Sequence, residues 1–392
     1  MSFFAADPAR STYDIVIIGA GAMGASLAFH LVSDPVFTGR ILVVERDPRF
    51  RFAATTHTNS CIREQFSTEV NIKLSQFGMA YLRDFRARIG AADAPAISFH
   101  GFGYMYLASA AGAEALRQKQ ALQVSLGAGT QLLSQEALQA EFPFIASDDI
   151  ELASWNPGRE GYFDGASMVD WWRKRAKDLG VEFMQGEVTG LSANAVSFGG
   201  QTVSAGQVVI AAGPRSGQVA ALAGVGLPVE PRKRYTFVFK AETPLPRDLP
   251  LLVDPAGFHV RTDGANYMAG CAPQSDPAAG DDFSIDDIWM EVLWPALATR
   301  IPAFERVKVI SEWAGHYEYN TLDQNAVIGA HPDQPSLWFL TGFSGHGLQH
   351  AAGAGTGLAR RMLHGDWGMI DLSELGYERI MTQRPFRELA II

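Results

Sequence analysis

An unbroken apolar run at residues 15–18 predicts a buried parallel strand, because a strand covered on both faces lacks polar alternation. Glycines follow at positions 19, 21 and 24, and the next segment, ASLAFHL, predicts a helix. A second apolar run, ILVVER at 41–46, predicts another strand that ends in Glu45. The chain therefore begins as a strand–helix–strand unit with a glycine-rich turn between its first two elements.

The hydrophobic pattern changes between residues 97 and 214. Aromatic and β-branched residues at 97–108 predict a strand, EALRQKQALQVSLG predicts a helix, and LSQEALQAEFPFI predicts a loop. A long helix is predicted within 161–183, with Asp164 and Ser167 as candidate caps and Gly180 as its end. Short antiparallel strands are predicted over 181–214, closing with VVIAAGP, an apolar strand of the parallel type. The first domain is therefore discontinuous.

A second strand-rich region follows at 226–315, with strands predicted at 234–241 and 251–271 and a covering helix at 285–301. Near the C-terminus, LWFL at 337–340 predicts a strand, followed by the glycine-rich TGFSGHGLQHAAGAGTG and a helix. The predicted fold class is α/β: a discontinuous Rossmann-type domain and a second α+β domain built on a mostly antiparallel sheet. We place the first domain at 1–95, 150–225 and 316–392, and the second at 96–149 and 226–315.

Charge and cysteine content narrow the functional classes. The formal net charge of −10 argues against nucleic-acid or anionic-membrane partners, which require clustered Lys and Arg. Cys61 and Cys271 stand far apart without metal-ligand spacing, so we expect neither a disulfide framework nor a metal site. No apolar stretch approaches the roughly 20 residues that cross a bilayer, and no secretory signal is visible. We expect a cytoplasmic protein that does not span a membrane.

The first glycine turn has the spacing of a dinucleotide site. Gly19 would permit the tight turn, Gly21 would let a pyrophosphate approach the backbone, and Gly24 would let helix and strand pack closely. Glu45 lies 21 residues after Gly24, where its carboxylate can accept bonds from ribose hydroxyls and disfavour a 2′-phosphate. The alternative is a purely structural turn. Because NAD and FAD both carry ADP, this turn does not distinguish them.

Four segments together resemble the superfamily of FAD-dependent amine and amino-acid oxidoreductases that includes D-amino acid oxidase, glycine oxidase and sarcosine oxidase. They are IIGAGAMGASLAFHL, GEVTGL, VVIAAGPRSG and TGFSGHGLQ, in family order over nearly the whole chain. THTNSCIREQFSTEVNIKLSQF and WAGHYEYNTLDQNAVIG resemble the mitochondrial FAD-dependent oxidoreductase-domain protein of complex I assembly and its bacterial relatives. LPVEPRKRYTFVFKAETPLPRDLPLLVD resembles the D-arginine dehydrogenase branch.

The resemblance implies a noncovalent FAD, because no cysteine lies near the position of Tyr317 where sarcosine oxidases attach theirs. The adenine would meet the backbone of Val188, and the second glycine turn would lie against the flavin ring. A helix N-terminus there would stabilise the negative charge of the reduced ring. The full set of expected cofactor-binding residues is Gly19, Gly21, Ala22, Met23, Gly24, Glu45, Arg46, Val188, Ala211, Ala212, Gly213, Gly345, His346, Gly347, Leu348 and Gln349.

The resemblance also directs attention to cationic and aromatic residues for the substrate. Arg63 matches a segment with a substrate-facing arginine in sarcosine oxidases, and Arg234 is a second candidate. Strand alternation would put His259 and Arg261 on one face, and likewise Tyr317 and Tyr319. Two departures matter: Met268 stands near the position of an oxygen-promoting lysine, and Gln349 replaces a lysine that binds the substrate carboxylate.

The leading interpretation is an FAD enzyme that oxidises the C–N bond of an amine or amino acid, either N-alkyl or D. Hydride would pass to flavin N5, and water would hydrolyse the resulting imine. Oxygen, a quinone or an electron-transfer protein would accept the electrons. Two alternatives stay open: a flavin-binding assembly or interaction protein with little catalysis, and an NAD-dependent dehydrogenase.

Overall fold

The computed structural model describes residues 3–192 and 194–390. Its strands, in chain order, are β1 Thr12–Ile18, β2 Ile41–Glu45, β3 Cys61–Ile62, β4 Phe99–His100, β5 Tyr104–Ala108, β6 Gln131–Ser134, β7 Leu152–Asn156, β8 Gly161–Phe163, β9 Glu182–Gln185, β10 Val188–Ser192, β11 Ala195–Phe198, β12 Gln201–Ile210, β13 Val229–Ala241, β14 Leu251–Val253, β15 Phe258–Asp263, β16 Asn266–Cys271, β17 Val307–Asn320, β18 Val327–His331 and β19 Gln334–Thr341.

Its α-helices are α1 Ala22–Ser33, α2 Glu69–Arg83, α3 Phe85–Ile89, α4 Ala110–Ser125, α5 Gln135–Glu141, α6 Gly165–Asp178, α7 Ser216–Ala221, α8 Trp294–Arg300, α9 Gly347–His364 and α10 Glu378–Met381. A π-helical turn, Trp289–Leu293, leads directly into α8.

The apolar run of β1 lies at the centre of a sheet with the parallel order β19-β12-β1-β2-β9. An antiparallel extension, β10 and β11, continues from the first half of β12, and β18 pairs with β19. Ile15 and Ile17 pack toward α1, α6 and α9, whereas Val16 and Ile18 pack into a core on the opposite face. Both faces are therefore buried, as the sequence pattern predicts for a Rossmann-type sheet.

The second large sheet has the order β17-β13-β16-β15-β14-β5-β7-β6, and it is antiparallel except for the pair β14 and β5. One face carries Phe237, Phe239 and Val260 and packs against α5, α8 and the π-helical turn. The other face, with Arg234 and His259, is turned toward the parallel sheet. The α/β fold class with a second, mostly antiparallel sheet is thus confirmed.

Local boundaries differ from the sequence-based expectation in three places. The segment predicted as a loop after β6 contains α5, which Ser134 caps by accepting the Ala137 N–H. The strand β7, assigned above to the Rossmann-type domain, pairs with β5 and β6 in the second sheet, and β17 also continues there as far as Asn320. By contrast, α6 begins as predicted, since the Asp164 carboxylate accepts the Ser167 N–H.

Candidate active site

A deep cleft separates the carboxyl edge of the parallel sheet from the inner face of the second sheet. Its wall comes from the two glycine turns, the ends of β2 and β12, and the strands β13, β15 and β17. The predicted site residues that line it are Gly19, Gly21, Ala22, Met23, Glu45, Arg46, Arg63, Val188, Ala211, Ala212, Gly213, Arg234, His259, Tyr317, Gly345, Gly347, Leu348 and Gln349. The fold therefore brings most of the predicted residues to one place.

The first glycine turn is closed tightly on itself. Gly19 has a φ of +105°, and a Cβ there would lie 2.3 Å from the Ala211 carbonyl oxygen. A Cβ on Gly24 would lie 1.9 Å from the Gly19 oxygen, so Gly24 serves the packing of α1 on β1 and does not line the cleft. A Cβ on Gly21 would meet only the Thr55 hydroxyl, at 3.1 Å. Backbone is therefore exposed to the cleft at Gly21.

The amino end of α1 is open to an anion. The helix has no acidic residue in its first turn and no side-chain cap from Gly21, although the Thr55 hydroxyl accepts the Ala22 N–H at 3.0 Å. Beside it, the Glu45 carboxylate accepts the Ala20 and Asp47 N–H groups, each at 2.9 Å. Burial raises the pKa of Glu45, and these two backbone donors work against that effect.

The second glycine turn, residues 342–347, joins β19 to α9. Gly345 has a φ of +98°, and a Cβ there would lie 2.3 Å from the Tyr317 ring. The turn thus supports Tyr317 by close backbone contact. His346 does not line the cleft: its ring is buried behind the turn against Phe66 and Phe343, and burial holds its pKa well below the ordinary value. A cofactor in the cleft would therefore meet the glycines and not this imidazole.

Arg63 and Gln349 are linked by a hydrogen bond, and Arg63 also bonds to nearby backbone carbonyl groups. The Arg63 guanidinium donates to the carbonyl oxygens of Gln65 and Ala390, both at 2.5 Å, and lies 3.9 Å from the Phe66 ring centroid. The Gln349 Oε1 accepts the Arg63 backbone N–H at 2.9 Å. A lysine side chain has no acceptor for that bond. The hydrogen bond therefore provides a structural reason for glutamine at position 349. Arg63 is thus committed to the protein more than to a ligand.

Arg234 is placed differently. Its guanidinium lies 4.8 Å from the centroid of the Tyr317 ring, and its Nη1 donates to the Lys233 carbonyl and to Asp276, at 2.6 and 3.0 Å. Its Nε is buried and has no hydrogen-bond partner among the described residues. Tyr319 lies two residues after Tyr317 on β17, with its ring beside Arg232 and Arg234, and it does not line the cleft. Arg234 is therefore a partly buried cation of the cleft wall with a donor that no described residue uses.

His259 lines the cleft, whereas Arg261 does not. Both lie on the same face of β15, as alternation requires, but the cleft ends before Arg261. The Arg261 guanidinium bonds Asp263, the Asn59 carbonyl and the Met268 Sδ, and it faces a separate shallow pocket with Phe102 and Tyr162. Burial, together with the charges of Arg261 and Arg234, lowers the pKa of His259 to about 4. His259 is therefore neutral near pH 7.

Met268 also lies outside the cleft wall, since it pairs with Arg261 across β15 and β16. The choice among oxygen, a quinone and an electron-transfer protein as acceptor stays a prediction.

The cleft contains an acid that the sequence reasoning missed. Glu318 lines it, and its Oε2 accepts bonds from the Thr341 hydroxyl at 2.9 Å and the Gly342 N–H at 3.1 Å. Burial raises the pKa of Glu318 to about 7. Alternation along β17 puts it on the opposite face from Tyr317, yet both residues line the cleft. The position of Glu318 between the two candidate tyrosines was the sequence signal that could have identified it.

Comparison with known proteins agrees with this geometry. The sequence model for FAD dependent oxidoreductases matches residues 14–361. The chain belongs to that family. It is 37% identical over 429 residues to FAD-dependent oxidoreductase domain-containing protein 1 of Bos taurus, covering 98% of this chain and 88% of that protein. It is 25% identical to the mitochondrial dimethylglycine dehydrogenase of Rattus norvegicus, over 93% of this chain and 44% of that protein.

Solved structures share the fold of this FAD-dependent oxidoreductase. L-proline dehydrogenase from P. horikoshii superposes with a TM-score of 0.82 at 21% identity, covering 95% of this chain and 99% of that one. Glycine oxidase from Geobacillus kaustophilus gives 0.79 at 19% identity, over 94% and 98%. FAD is thus the cofactor. Within the described residues, no helix is both long and apolar enough to cross a bilayer, while the cytoplasmic location stays a prediction.

Proposed function

We propose that this FAD-dependent oxidoreductase oxidises the C–N bond of a carboxylate-bearing amine, an N-alkyl or D-amino acid. The observation that carries the proposal is Arg234, a partly buried cation that lines the cleft beside Tyr317 and whose Nε has no hydrogen-bond partner among the described residues. A substrate carboxylate would accept that N–H in a charge-assisted bond, beside the pair that Nη1 already forms with Asp276. Arg63 uses both terminal nitrogens on two carbonyl groups, whereas the bonds of Arg234 to Lys233 and Asp276 use Nη1 and leave its Nε without a partner among the described residues, so Arg234 is the better anchor of the two.

The residues of the two glycine turns fit a long cofactor that spans the cleft. The open amino end of α1 and the bare backbone at Gly21 suit a pyrophosphate, and Glu45 suits the ribose hydroxyls. Val188, which we assign to the adenine, and the small residues at 211–213 also line the cleft. We assign the flavin ring to Gly345 and Gly347, at the amino end of α9. No covalent link is needed in this arrangement.

When bound, FAD supplies the acceptor for the hydride of the substrate Cα–H bond. The protein's own part is to bind and orient. Arg234 holds the carboxylate, and Tyr317 is fixed against Gly345, so the Cα–H direction is set by two supported groups. The positive charge of Arg234 also favours the neutral, reactive form of the substrate amine. The oxidised product is an imine, which water hydrolyses to a carbonyl compound and an amine or ammonia.

Anaerobic stopped-flow absorbance of the purified holoprotein tests the proposal. The panel contains N-methyl and D-amino acids, each paired with its decarboxylated analogue. We expect bleaching of the flavin by carboxylate-bearing members and at least tenfold slower bleaching by the analogues. Air admitted afterwards then reports whether oxygen accepts the electrons. FAD-loaded protein that no member bleaches would instead support a flavin-binding interaction protein with little catalysis.

The anchor is tested by Arg234→Met, with Arg232→Met as the matched control. Arg232 lies on the same strand, bonds Glu230 and does not line the cleft. Loss of a charged hydrogen-bonding partner costs roughly 2–5 kcal/mol, so KM should rise by about 30-fold or more in Arg234→Met and stay unchanged in the control. Equal effects of the two substitutions would remove Arg234 from this role.

A further inference from the structure

The imidazole of His259 lies over a glycine on the adjacent strand of the second sheet. Its cross-strand partner on β16 is Gly270, and a Cβ there would lie 2.6 Å from the His259 Cε1 and 2.7 Å from its Nε2. The glycine therefore makes the space in which the ring lies. Thr236 on β13 continues the same row and also lines the cleft.

Asn59 fixes which nitrogen of this ring carries the proton. Its Nδ2 amide lies 2.7 Å from the His259 Nε2, so Nε2 accepts a hydrogen bond and the proton of the neutral ring belongs on Nδ1. The His259 Nδ1 is buried and has no partner among the described residues. A buried donor without a partner is costly in a folded protein, and beside a cleft it marks a place for a ligand acceptor.

Arg261 holds Asn59 from the side away from the cleft. Its Nη2 donates to the Asn59 carbonyl at 3.2 Å. The guanidinium itself is fixed, because its Nη1 donates to the Thr262 carbonyl and the Asp263 carboxylate at 2.8 and 2.9 Å. Arg261 itself is 3% exposed, whereas the Asp263 side chain is 37% exposed. A continuous chain of contacts thus runs from Asp263 through Arg261 and Asn59 to His259.

We propose that Arg261 and Asn59 are positioning residues that hold His259 in its Nδ1–H form, so that this N–H donates to the substrate carboxylate bound by Arg234. The inference rests on the proposed function for its ligand. It explains why Arg261 is buried near the cleft without lining it. It also divides carboxylate recognition between a charged donor on β13 and a neutral donor on β15, two strands of one sheet that are separated by β16.

The tautomer is measured without any substrate. Holoprotein labelled with ¹⁵N-histidine gives signals from 9 histidines, and His259 is identified by the signal lost in His259→Gln. We expect a protonated Nδ1 and an unprotonated Nε2 in the wild type. In Asn59→Asp the new carboxylate accepts a bond from Nε2, so the proton should move to Nε2. Arg261→Met should leave a mixture of the two forms, because Asn59 loses its support.

Binding is measured with propionate, a carboxylate without a C–N bond, by its perturbation of the flavin spectrum. We expect Asn59→Asp and Arg261→Met to weaken propionate about tenfold, the effect of one lost hydrogen bond, with FAD content unchanged. Arg247→Met is the control, since Arg247 pairs with Glu141 on the surface of the same domain. The proposal is overturned if wild-type His259 carries its proton on Nε2, if neither substitution changes the tautomer, or if propionate binding is absent or indifferent to both.

These outcomes are separate from those of the proposed function. A protonated Nδ1 and tenfold effects on propionate, without bleaching by any amine, would retain the positioning chain and reject the oxidation. Bleaching by amino acids with a Nε2-protonated His259 would do the reverse.

Discussion

Glu318 shows how burial alone can make one carboxyl in the cleft responsive to pH. It is 8% exposed, and its pKa of about 7 compares with an ordinary value of 4.5. Below about pH 4.5 the carboxyl is protonated in both the folded and the unfolded chain. Between that value and about pH 7 the folded chain retains a proton that the unfolded chain has lost, so the free energy of unfolding falls as pH rises.

The prediction is that Glu318→Gln removes this loss. Because a tenfold change in proton affinity is worth about 1.4 kcal/mol, the variant should gain roughly 2–3 kcal/mol relative to wild type between about pH 5 and pH 8. Urea unfolding of both holoproteins across that range is the measurement. Glu312→Gln, at an exposed position of the same strand, is the control. A stability difference that does not change with pH would contradict the assignment.

For single residues, the sequence predicted which residues are candidates for the site better than it predicted the contacts that each of them makes. Glu45 was predicted from spacing alone, because strand–turn–helix geometry is local. Arg63 and Arg234 could not be separated, since what distinguishes them is contact with distant chain: the Ala390 carbonyl occupies Arg63, and nothing among the described residues occupies the Nε of Arg234. The sequence also could not show that Arg261 lies outside the cleft, because strand alternation predicts which face a side chain is on and not how far along that face a cleft extends.

The backbone of the turn between β19 and α9 limits the side chains that can be placed beside the cleft. Ser344 and Gly345 both have positive φ, at 48° and 98°, and Tyr317 lies directly against Gly345. Such a turn admits a side chain at Gly345 only if the tyrosine moves. Its geometry therefore connects the amino end of α9 to the wall of the substrate pocket.

We predict that Gly345→Ala lowers the occupancy of FAD or shifts its reduction potential, because the added Cβ displaces Tyr317 and the turn together. Gly224→Ala is a matched control: Gly224 has a φ of +72° but nothing within 4 Å of its added Cβ. It therefore shows the cost of backbone strain alone. Flavin absorbance per chain and a spectroelectrochemical titration are the measurements. Wild-type occupancy and potential in Gly345→Ala would refute the role of this turn.

Among the elements, sequence periodicity predicted the βαβ start, α6 and the strand before the second glycine turn. It missed α5, because a seven-residue amphipathic segment ending in EFPF has too few turns to establish a helical period. The assignment of β7 also failed, since its partners β5 and β6 are fixed by long-range pairing that a local pattern does not contain.

Over the whole molecule, the cleft is lined by both large sheets, so we expect a long cofactor bound in it to contact both. Asp281, in the connection after β16, also reaches Arg46 at the end of β2, with a separation of 3.8 Å. Binding energy at such a place stabilises the assembly of the two halves as well as the cleft itself. The stability of the folded chain should therefore depend on the concentration of FAD.

We predict that removal of FAD lowers the urea midpoint and that added FAD restores it in proportion to the logarithm of its concentration. At about 100 times the Kd the gain should be about 2.7 kcal/mol. Trypsin cleavage after Arg46 should slow in parallel, because this residue lines the cleft. Unfolding and cleavage that do not respond to FAD would contradict a cofactor held between the sheets.

The most direct test of the central claim is a single anaerobic turnover with a substrate found in the panel, followed by analysis of the product. The account predicts that each bound flavin is reduced once, with release of one carbonyl compound and one amine or ammonia. Deuterium at the substrate Cα should slow the bleaching. Flavin reduction without cleavage of the C–N bond, or no reduction by any carboxylate-bearing amine in fully FAD-loaded protein, would contradict it.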